Sequence, residues 1–191
     1  NCWLVWASTP EGAFEFRLHV AGRHNVKNAL AATACALAAG VPVACIAAGL
    51  TAFEPVKGRS RAIQVNYQNQ TINLIDDTYN ANPISVRAAL EGLGEYSGRK
   101  IAVLGDMLEL GPHSRALHRE TGKVTRGVAD KVFSLGEFRE ELSTNPFQDA
   151  QELIQALLED LKPGDTVLFK ASRGVRLEDV LEAVLEGLRG R

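Results

Sequence analysis

Most of this chain is expected to fold as α/β, with a mainly parallel sheet and helices on both of its faces. Three observations carry that expectation. Short, largely apolar runs of strand length recur at residues 71–75, 100–104, 131–135 and 166–170. Between them lie longer segments with apolar residues at helical spacing, and clusters of Gly, Pro, Asn and Asp separate the two kinds. Strands that alternate with helices pair in parallel, because each crossover returns the chain to the same end of the sheet.

Composition excludes several classes. The 191 residues suffice for one full domain and part of another. A hydrophobic share of 46% and a charged share of 23% are ordinary for a soluble globular protein. With 21 basic against 23 acidic side chains and a net charge of -2, there is no cationic footprint for a nucleic acid or a membrane surface. Cys2, Cys35 and Cys45 have no paired spacing and read as reduced thiols of a cytoplasmic protein, not as a disulfide framework or a zinc site. The longest apolar stretch, 29–39, is broken by Thr33 and falls short of the roughly 18 residues of a membrane span. The start, Asn1-Cys2-Trp3, lacks the basic region of a secretory signal, and the only methionine is Met107. The chain is therefore expected to begin inside a longer polypeptide.

Residues 2–7 and 14–20 read as two strands. Phe14, Phe16 and Leu18 alternate with Glu15 and Arg17, and Pro10-Glu11-Gly12 supplies the turn of a β-hairpin. An alanine-rich helix over 24–39 has Val26, Leu30, Ala34 and Leu37 at helical spacing; Gly40 stops it and Pro42 lies just beyond. A shorter helix spans 43–52. Residues 53–58 read as a linker, which divides the chain into 1–57 and 58–191.

Beyond the linker, 61–67 and 71–75 read as strands joined around Gln68-Asn69-Gln70. Asn82 and Pro83, a preferred cap and a preferred first residue, open a helix over 83–94. Then come a strand at 100–104, a loop at 105–113 and a helix to about residue 126. A strand at 131–135 and a short helix at 137–142 follow, and Pro146 interrupts. After a helix at 150–161, Pro163-Gly164-Asp165 turns into the strand 166–170, and a last helix runs over 176–188.

No GxxxxGK[ST] occurs, and no GxGxxG follows a strand, so any nucleotide site here is only partly supplied by these residues. Candidate residues gather instead where strands hand over to helices, the edge at which open α/β sheets bind ligands. Asp76 and Asp77 end a strand. A carboxylate there can accept both hydroxyls of a ribose; it can equally be solvated or take the amides of the next helix. Asn80 and Asn82 can position a phosphoryl or acyl oxygen, and Asn82 also reads as a cap. In the long loop after residue 104, Asp106 or Glu109 can bind an ammonium group, with His118 packing or orienting. Ser172 and Arg173 can grip a carboxylate through a hydroxyl and a guanidinium fork, or form a plain turn. Arg59 can hold a phosphate bidentately, or belong to a surface basic cluster. Asn25 and Asn28, three apart at a helix start, present paired donors and acceptors that match an adenine edge; capping by Asn25 is the other reading.

Together these stretches resemble the ATP-dependent Mur ligases of peptidoglycan synthesis, and among them the D-Ala-D-Ala-adding (MurF) type. The carrying segments are GRHNVKNALAA (22–32), EPVKGRS (54–60), DDTYNANP (76–83), LGDMLELG (104–111) with His118 and Gly122 beyond it, and KASRG (170–174). The first is shared across Mur ligases; DDTYNANP and GDMLELG belong to the D-Ala-D-Ala-adding type. The resemblance implies that 1–57 is the tail of a central ATP-binding domain and that 58–191 is a Rossmann-like carboxyl-terminal domain. It implies ATP and Mg2+ as cofactors and UDP-MurNAc-tripeptide and D-Ala-D-Ala as substrates, in a monomeric cytoplasmic enzyme. Without a phosphate cradle, these residues alone are expected to be inactive. The other expectation is a Rossmann-like module that binds a nucleotide or a partner without catalysis.

By position, the resemblance assigns Asn25 and Asn28 to adenine, Asp77 to the ribose and Arg59 to the phosphates. Asn80 and Asn82 would line the junction where acyl phosphate meets amine. Asp106, Ser172 and Arg173 would face the dipeptide. Ala171 stands where the family often has glycine, and its methyl is expected to crowd the backbone near Ser172.

Overall fold

A computed structural model describes residues 3–20 and 22–190. Cys2, expected to open the first strand, lies outside the described residues. The chain divides into two compact units, Asn1–Val56 and Lys57–Arg191.

In the first unit, β1 (Trp3–Thr9) and β2 (Gly12–Leu18) form an antiparallel hairpin that pairs Thr9 with Gly12 and Trp3 with Leu18. Gly12 closes the turn at a φ of 125°, which a side chain would resist. Alternation sends Val5, Ala7, Phe16 and Leu18 to one face, where they bury with Val20 and Ala29. Leu4 and Trp6 stand on the other face, 55% and 75% exposed. Two helices follow, α1 (His24–Ala38) and α2 (Val43–Thr51). The first ends in paired backbone bonds, Gly40 N–H to Leu37 O at 2.9 Å and Val41 N–H to Ala36 O at 3.0 Å, the double closure that glycine permits after a helix.

The second unit holds a six-stranded sheet. Its elements are β3 (Arg61–Tyr67), β4 (Gln70–Asp77), α3 (Pro83–Gly94), β5 (Lys100–Gly105), α4 (Ser114–Arg126), β6 (Lys131–Leu135), α5 (Arg139–Leu142), β7 (Asn145–Phe147), α6 (Ala150–Asp160), β8 (Thr166–Lys170) and α7 (Leu177–Arg189). The strand order is β3-β4-β8-β5-β6-β7. Only β3 runs antiparallel, paired with β4 through a two-residue turn in which Gln68 and Asn69 both take left-handed φ values, 51° and 64°. The other pairs are parallel.

Every residue of β8 is buried, as befits a strand covered on both faces. Leu74, Val167 and Ile101 lie side by side in register and pack, with Val103 and Phe169, against Leu153, Leu157, Val180 and Val184 of α6 and α7. The alternate residues turn to the opposite face, where α3 packs against β8 and α4 against β6. The expected strands and helices are present, with ends shifted by a residue or two, and β7 is an addition. The sequence reads Pro146 as an interruption, but a proline lacking an N–H is tolerated in a short edge strand. The short helix begins at Arg139, not residue 137, and the amides of Glu137 and Phe138 just before it are given to Asp106.

Candidate active site

The carboxyl ends of β4, β8 and β5 lie together, with Asp77 opposite Lys170 and Lys170 opposite Leu104. Lys170 is 3% exposed at its side chain, and its Nζ sits 2.5 Å from Asp77 Oδ2 and 2.9 Å from the carbonyl of Asn80. A buried ammonium is tolerated only when paired and hydrogen-bonded. Here it ties the end of β4 to the loop that follows it.

The two aspartates part company because successive strand residues face opposite sides. Asp76, fully buried, accepts from Gly58 N–H at 2.9 Å and from the Thr78 hydroxyl at 2.7 Å. Asp77 Oδ1 accepts from Ser60 N–H at 3.0 Å and its hydroxyl at 3.2 Å. Neither carboxylate is merely solvated, and neither takes the amides of α3. They grip the backbone on both sides of Arg59, and they hold Ser60 at a left-handed φ of 52° that a serine seldom adopts. A carboxylate offers about four lone-pair directions, so Asp77 keeps one beyond these partners.

Arg59 is thereby aimed. Its guanidinium lies 4.0 Å from the centre of the Tyr79 ring, and that of Arg173 lies 5.7 Å from the same centre.

Asn80 and Asn82 are exposed on the loop between β4 and α3. Asn80 Oδ1 accepts from Ala81 N–H at 2.8 Å, and Asn82 Oδ1 accepts from Ser85 N–H at 2.8 Å. Ser85 Oγ returns a contact to Asn82 N–H at 3.0 Å, which completes a capping box. A backbone N–H can only donate, so the accepting atom of each amide is its oxygen, and each NH2 group remains a donor.

Asp106 and Ser172 lie on the loops that leave β5 and β8. Both are buried. Asp106 accepts from the amides of Glu137 at 2.7 Å and Phe138 at 2.9 Å, which joins the loops after β5 and β6. Ser172 Oγ accepts from Leu108 N–H at 2.9 Å and lies 3.2 Å from Ala81 O, and Ser172 N–H donates to Asp106 O at 2.9 Å. These two side chains knit four loops together, and of the trio expected to face a dipeptide only Arg173 is presented to solvent. Glu109 is exposed at a φ of 63°. The loop is braced from below by His118, fully buried, whose Nε2 accepts from Met107 N–H at 2.8 Å while Nδ1 donates to Ser114 O at 2.7 Å. His118 thus orients, as expected. The crowding expected at Ala171 does not arise: its methyl fills the space opposite Gly105, where a Cβ would come within 2.7 Å of it.

Asn25 and Asn28 belong to the first unit. Asn28 Nδ2 donates to Asn25 Oδ1 at 3.0 Å, so the two amides do share one side of α1. Asn25 is not the cap; the helix starts at His24 and Arg23 occupies that position without a side-chain bond. Lys170 and Tyr79 are the residues that motif reading passed over. The signal for Lys170 was available: a lysine closing the apolar run TVLFK must be paired if that run is central. Beside these loops, a groove of about 260 Å3 between α3 and α4, with Pro83, Ile84, Leu90, Leu117 and Val124 in its walls, contains none of the candidate residues.

Residues 58–173 match the family model described as Mur ligase, glutamate ligase domain. The chain belongs to the Mur ligase family. The matched span of this Mur ligase chain holds Arg59, Asp77, Asn80, Asn82, Asp106, Ser172 and Arg173; Asn25 and Asn28 precede it. Similar curated proteins are UDP-N-acetylmuramoyl-tripeptide–D-alanyl-D-alanine ligases. That of Haemophilus influenzae is 38% identical over 192 residues, covering 95% of this chain and 41% of the relative. That of Escherichia coli K12 is 38% identical over 186 residues, covering 93% and 40%. The chain thus spans about two fifths of the length of the curated relatives it matches. Among solved structures, the MurF ligase of Thermotoga maritima in complex with ADP superposes with a TM-score of 0.87 at 28% identity, covering all of this chain and 46% of that one. MurF of Acinetobacter baumannii gives 0.83 at 36% identity, with coverages of 97% and 42%.

Proposed function

We propose that these residues are the carboxyl-terminal portion of an ATP-dependent amide ligase that joins D-Ala-D-Ala to UDP-MurNAc-tripeptide in peptidoglycan precursor synthesis. The observation that carries this reading is the loop of Asn80 and Asn82. Its two carboxamides use their oxygens on the loop's own backbone and keep their NH2 groups as donors, on a loop tied down by Asp76, Asp77 and Lys170. Donors held this way cost nothing to reorganise when charge develops on a phosphoryl or tetrahedral oxygen.

In this reading ATP phosphorylates the terminal carboxylate of the tripeptide. The free amine of D-Ala-D-Ala attacks that acyl phosphate, the carbon–oxygen bond to phosphate breaks, and phosphate leaves with the electron pair. An α-amino group has an ordinary pKa near 8, so it deprotonates without special tuning. Asn25 and Asn28 take adenine, Asp77 offers its remaining lone pair to the ribose, and Arg59 takes phosphate oxygens. Asn80 and Asn82 stabilise the reacting centre. Arg173 faces the dipeptide from loops that Asp106 and Ser172 hold in place. Mg2+ belongs to the same reading. The described residues hold no group of three or more His, Cys, Asp or Glu suited to a metal, so they are assigned no ligand role.

The division of labour extends to the units. Residues 1–57 are read as the end of the central ATP-binding domain. Leu4 and Trp6, exposed on the outer face of a two-stranded sheet, are the kind of surface that a larger sheet covers. We place the whole enzyme in the cytoplasm, as a monomer; no described helix is long and apolar enough to cross a membrane.

The test uses the product of the complete reading frame, assayed for pentapeptide and ADP from ATP, UDP-MurNAc-tripeptide and D-Ala-D-Ala. Formation of both is expected, and their absence from a folded, complete protein overturns the reading. Within it, Asp77→Ala is expected to raise the KM for ATP far more than that for D-Ala-D-Ala; the reverse pattern removes Asp77 from the nucleotide. The lack of a phosphate-cradling motif in these residues favours a second reading, a nucleotide-binding module without catalysis. ATP binding without ligation by the complete product selects it.

A further inference from the structure

Tyr79 is the aromatic residue of the loop between β4 and α3. Thr78 and Ala81 are buried, yet Tyr79 is 40% exposed. Its backbone is fixed, with its N–H donated to Gly58 O at 2.9 Å. The fit is close: a Cβ on Gly58 would come within 3.1 Å of both the Tyr79 nitrogen and its Cβ. An aromatic ring is thus held at the surface on rigid backbone.

Two guanidiniums meet at that ring, Arg59 at 4.0 Å and Arg173 at 5.7 Å from its centre. They can be no farther apart than those two distances combined. Neither is ion-paired with a carboxylate among the described residues. Two cations this near repel, and the face of one ring offsets only part of the repulsion. What relieves the rest is an oxyanion, for which two planar forks are geometrically suited. The NH2 groups of Asn80 and Asn82 are neutral donors on the same loop as the ring.

We propose that Tyr79 is a platform that gathers Arg59 and Arg173 into one clamp for a phosphate-type oxyanion. This moves Arg173 from the dipeptide to the phosphoryl group. The naming of that group rests on the ligase reading above, whereas the clamp itself rests on the two arginines and the ring. Tyr79 acts through the arginines and is a positioning residue.

The test follows the side-chain Nε–Hε signals of Arg59 and Arg173 by NMR in the product of the complete reading frame. Inorganic pyrophosphate is the probe, and D-Ala-D-Ala, whose carboxylate is the other available oxyanion, is titrated in parallel. Both signals are expected to follow one pyrophosphate binding curve, with Arg173→Gln weakening it about as much as Arg59→Gln. Tyr79→Phe, which keeps the ring, is expected to retain binding, while Tyr79→Leu weakens it roughly three- to tenfold. Arg59 alone responding to pyrophosphate, with Arg173 following D-Ala-D-Ala, overturns the clamp; so does silence of both toward pyrophosphate. A working clamp in a complete protein that makes no amide sinks the ligase reading and leaves the clamp standing.

Discussion

Lys170 and Asp77 end adjacent parallel strands and meet at 2.5 Å, with the lysine buried and the aspartate 14% exposed at its side chain. That contact joins the motif at the end of β8 to the motif at the end of β4. Removing one member of a buried pair leaves the other charge uncompensated, at a cost of about 3 kcal/mol. Lys170→Met is therefore expected to lower stability by that order in urea unfolding. A double variant with Asp77→Asn, which removes the second charge but keeps an oxygen for Ser60, is expected to recover part of the loss.

His118→Leu removes the acceptor of a buried amide. Leaving Met107 N–H without a partner is expected to cost about 2 kcal/mol. Amide hydrogen exchange locates the effect: Met107 and its neighbours in the loop after β5 should exchange faster, while β6 keeps its protection.

Gly122→Ala pits two effects against each other. Alanine gains about 1 kcal/mol of helix propensity. A Cβ at Gly122, however, would lie 2.4 Å from Glu141 O and 2.6 Å from Leu142 O, which are backbone atoms that cannot swing aside. Forcing α4 away from α5 is expected to win, for a net loss of about 2 kcal/mol by thermal or urea unfolding.

Asp160 carries the clearest pH dependence. Burial works to raise its pKa, but hydrogen bonds from Lys131 and Arg99 outweigh it, and the value falls below the ordinary 3.8. A carboxyl depressed in the folded state stabilises the fold above its unfolded pKa. That contribution is lost as pH drops through the lower folded value. Asp160→Asn is expected to cost about 1 kcal/mol near neutrality. The cost should shrink to nothing under strongly acid conditions, in urea titrations at a series of pH values. Asp165 beside it runs the other way: burial raises its pKa, so its ionised form opposes folding.

Much of this was readable from residues alone. The helix from Pro83 was announced by Asn82 and Pro83, and the strands at 131–135 and 166–170 matched their apolar runs, because local chemistry decides those features. What was not readable depends on partners distant in sequence. Asp106 and Ser172 look like surface ligands in their motifs, yet their acceptors and donors come from the loops after β4, β5 and β6. The purpose of Asp76 also escaped, since its partner Gly58 lies 18 residues earlier. Likewise β7 has too few residues to show a period, and its pairing with β6 supplies the reason it is a strand.

The last strand of the chain lies in the middle of its sheet. β8 separates β4 from β5, and Asp77 must wait for Lys170, 93 residues later. At about 5–20 residues per second, a ribosome takes roughly 5–20 s to make that stretch. Once β5 is made, and until β8 follows, the nascent chain carries two apolar strands with unmatched edges, open to wrong partners. Lys170 therefore closes more than an ion pair. Its emergence from the exit tunnel marks the moment at which the sheet can become whole.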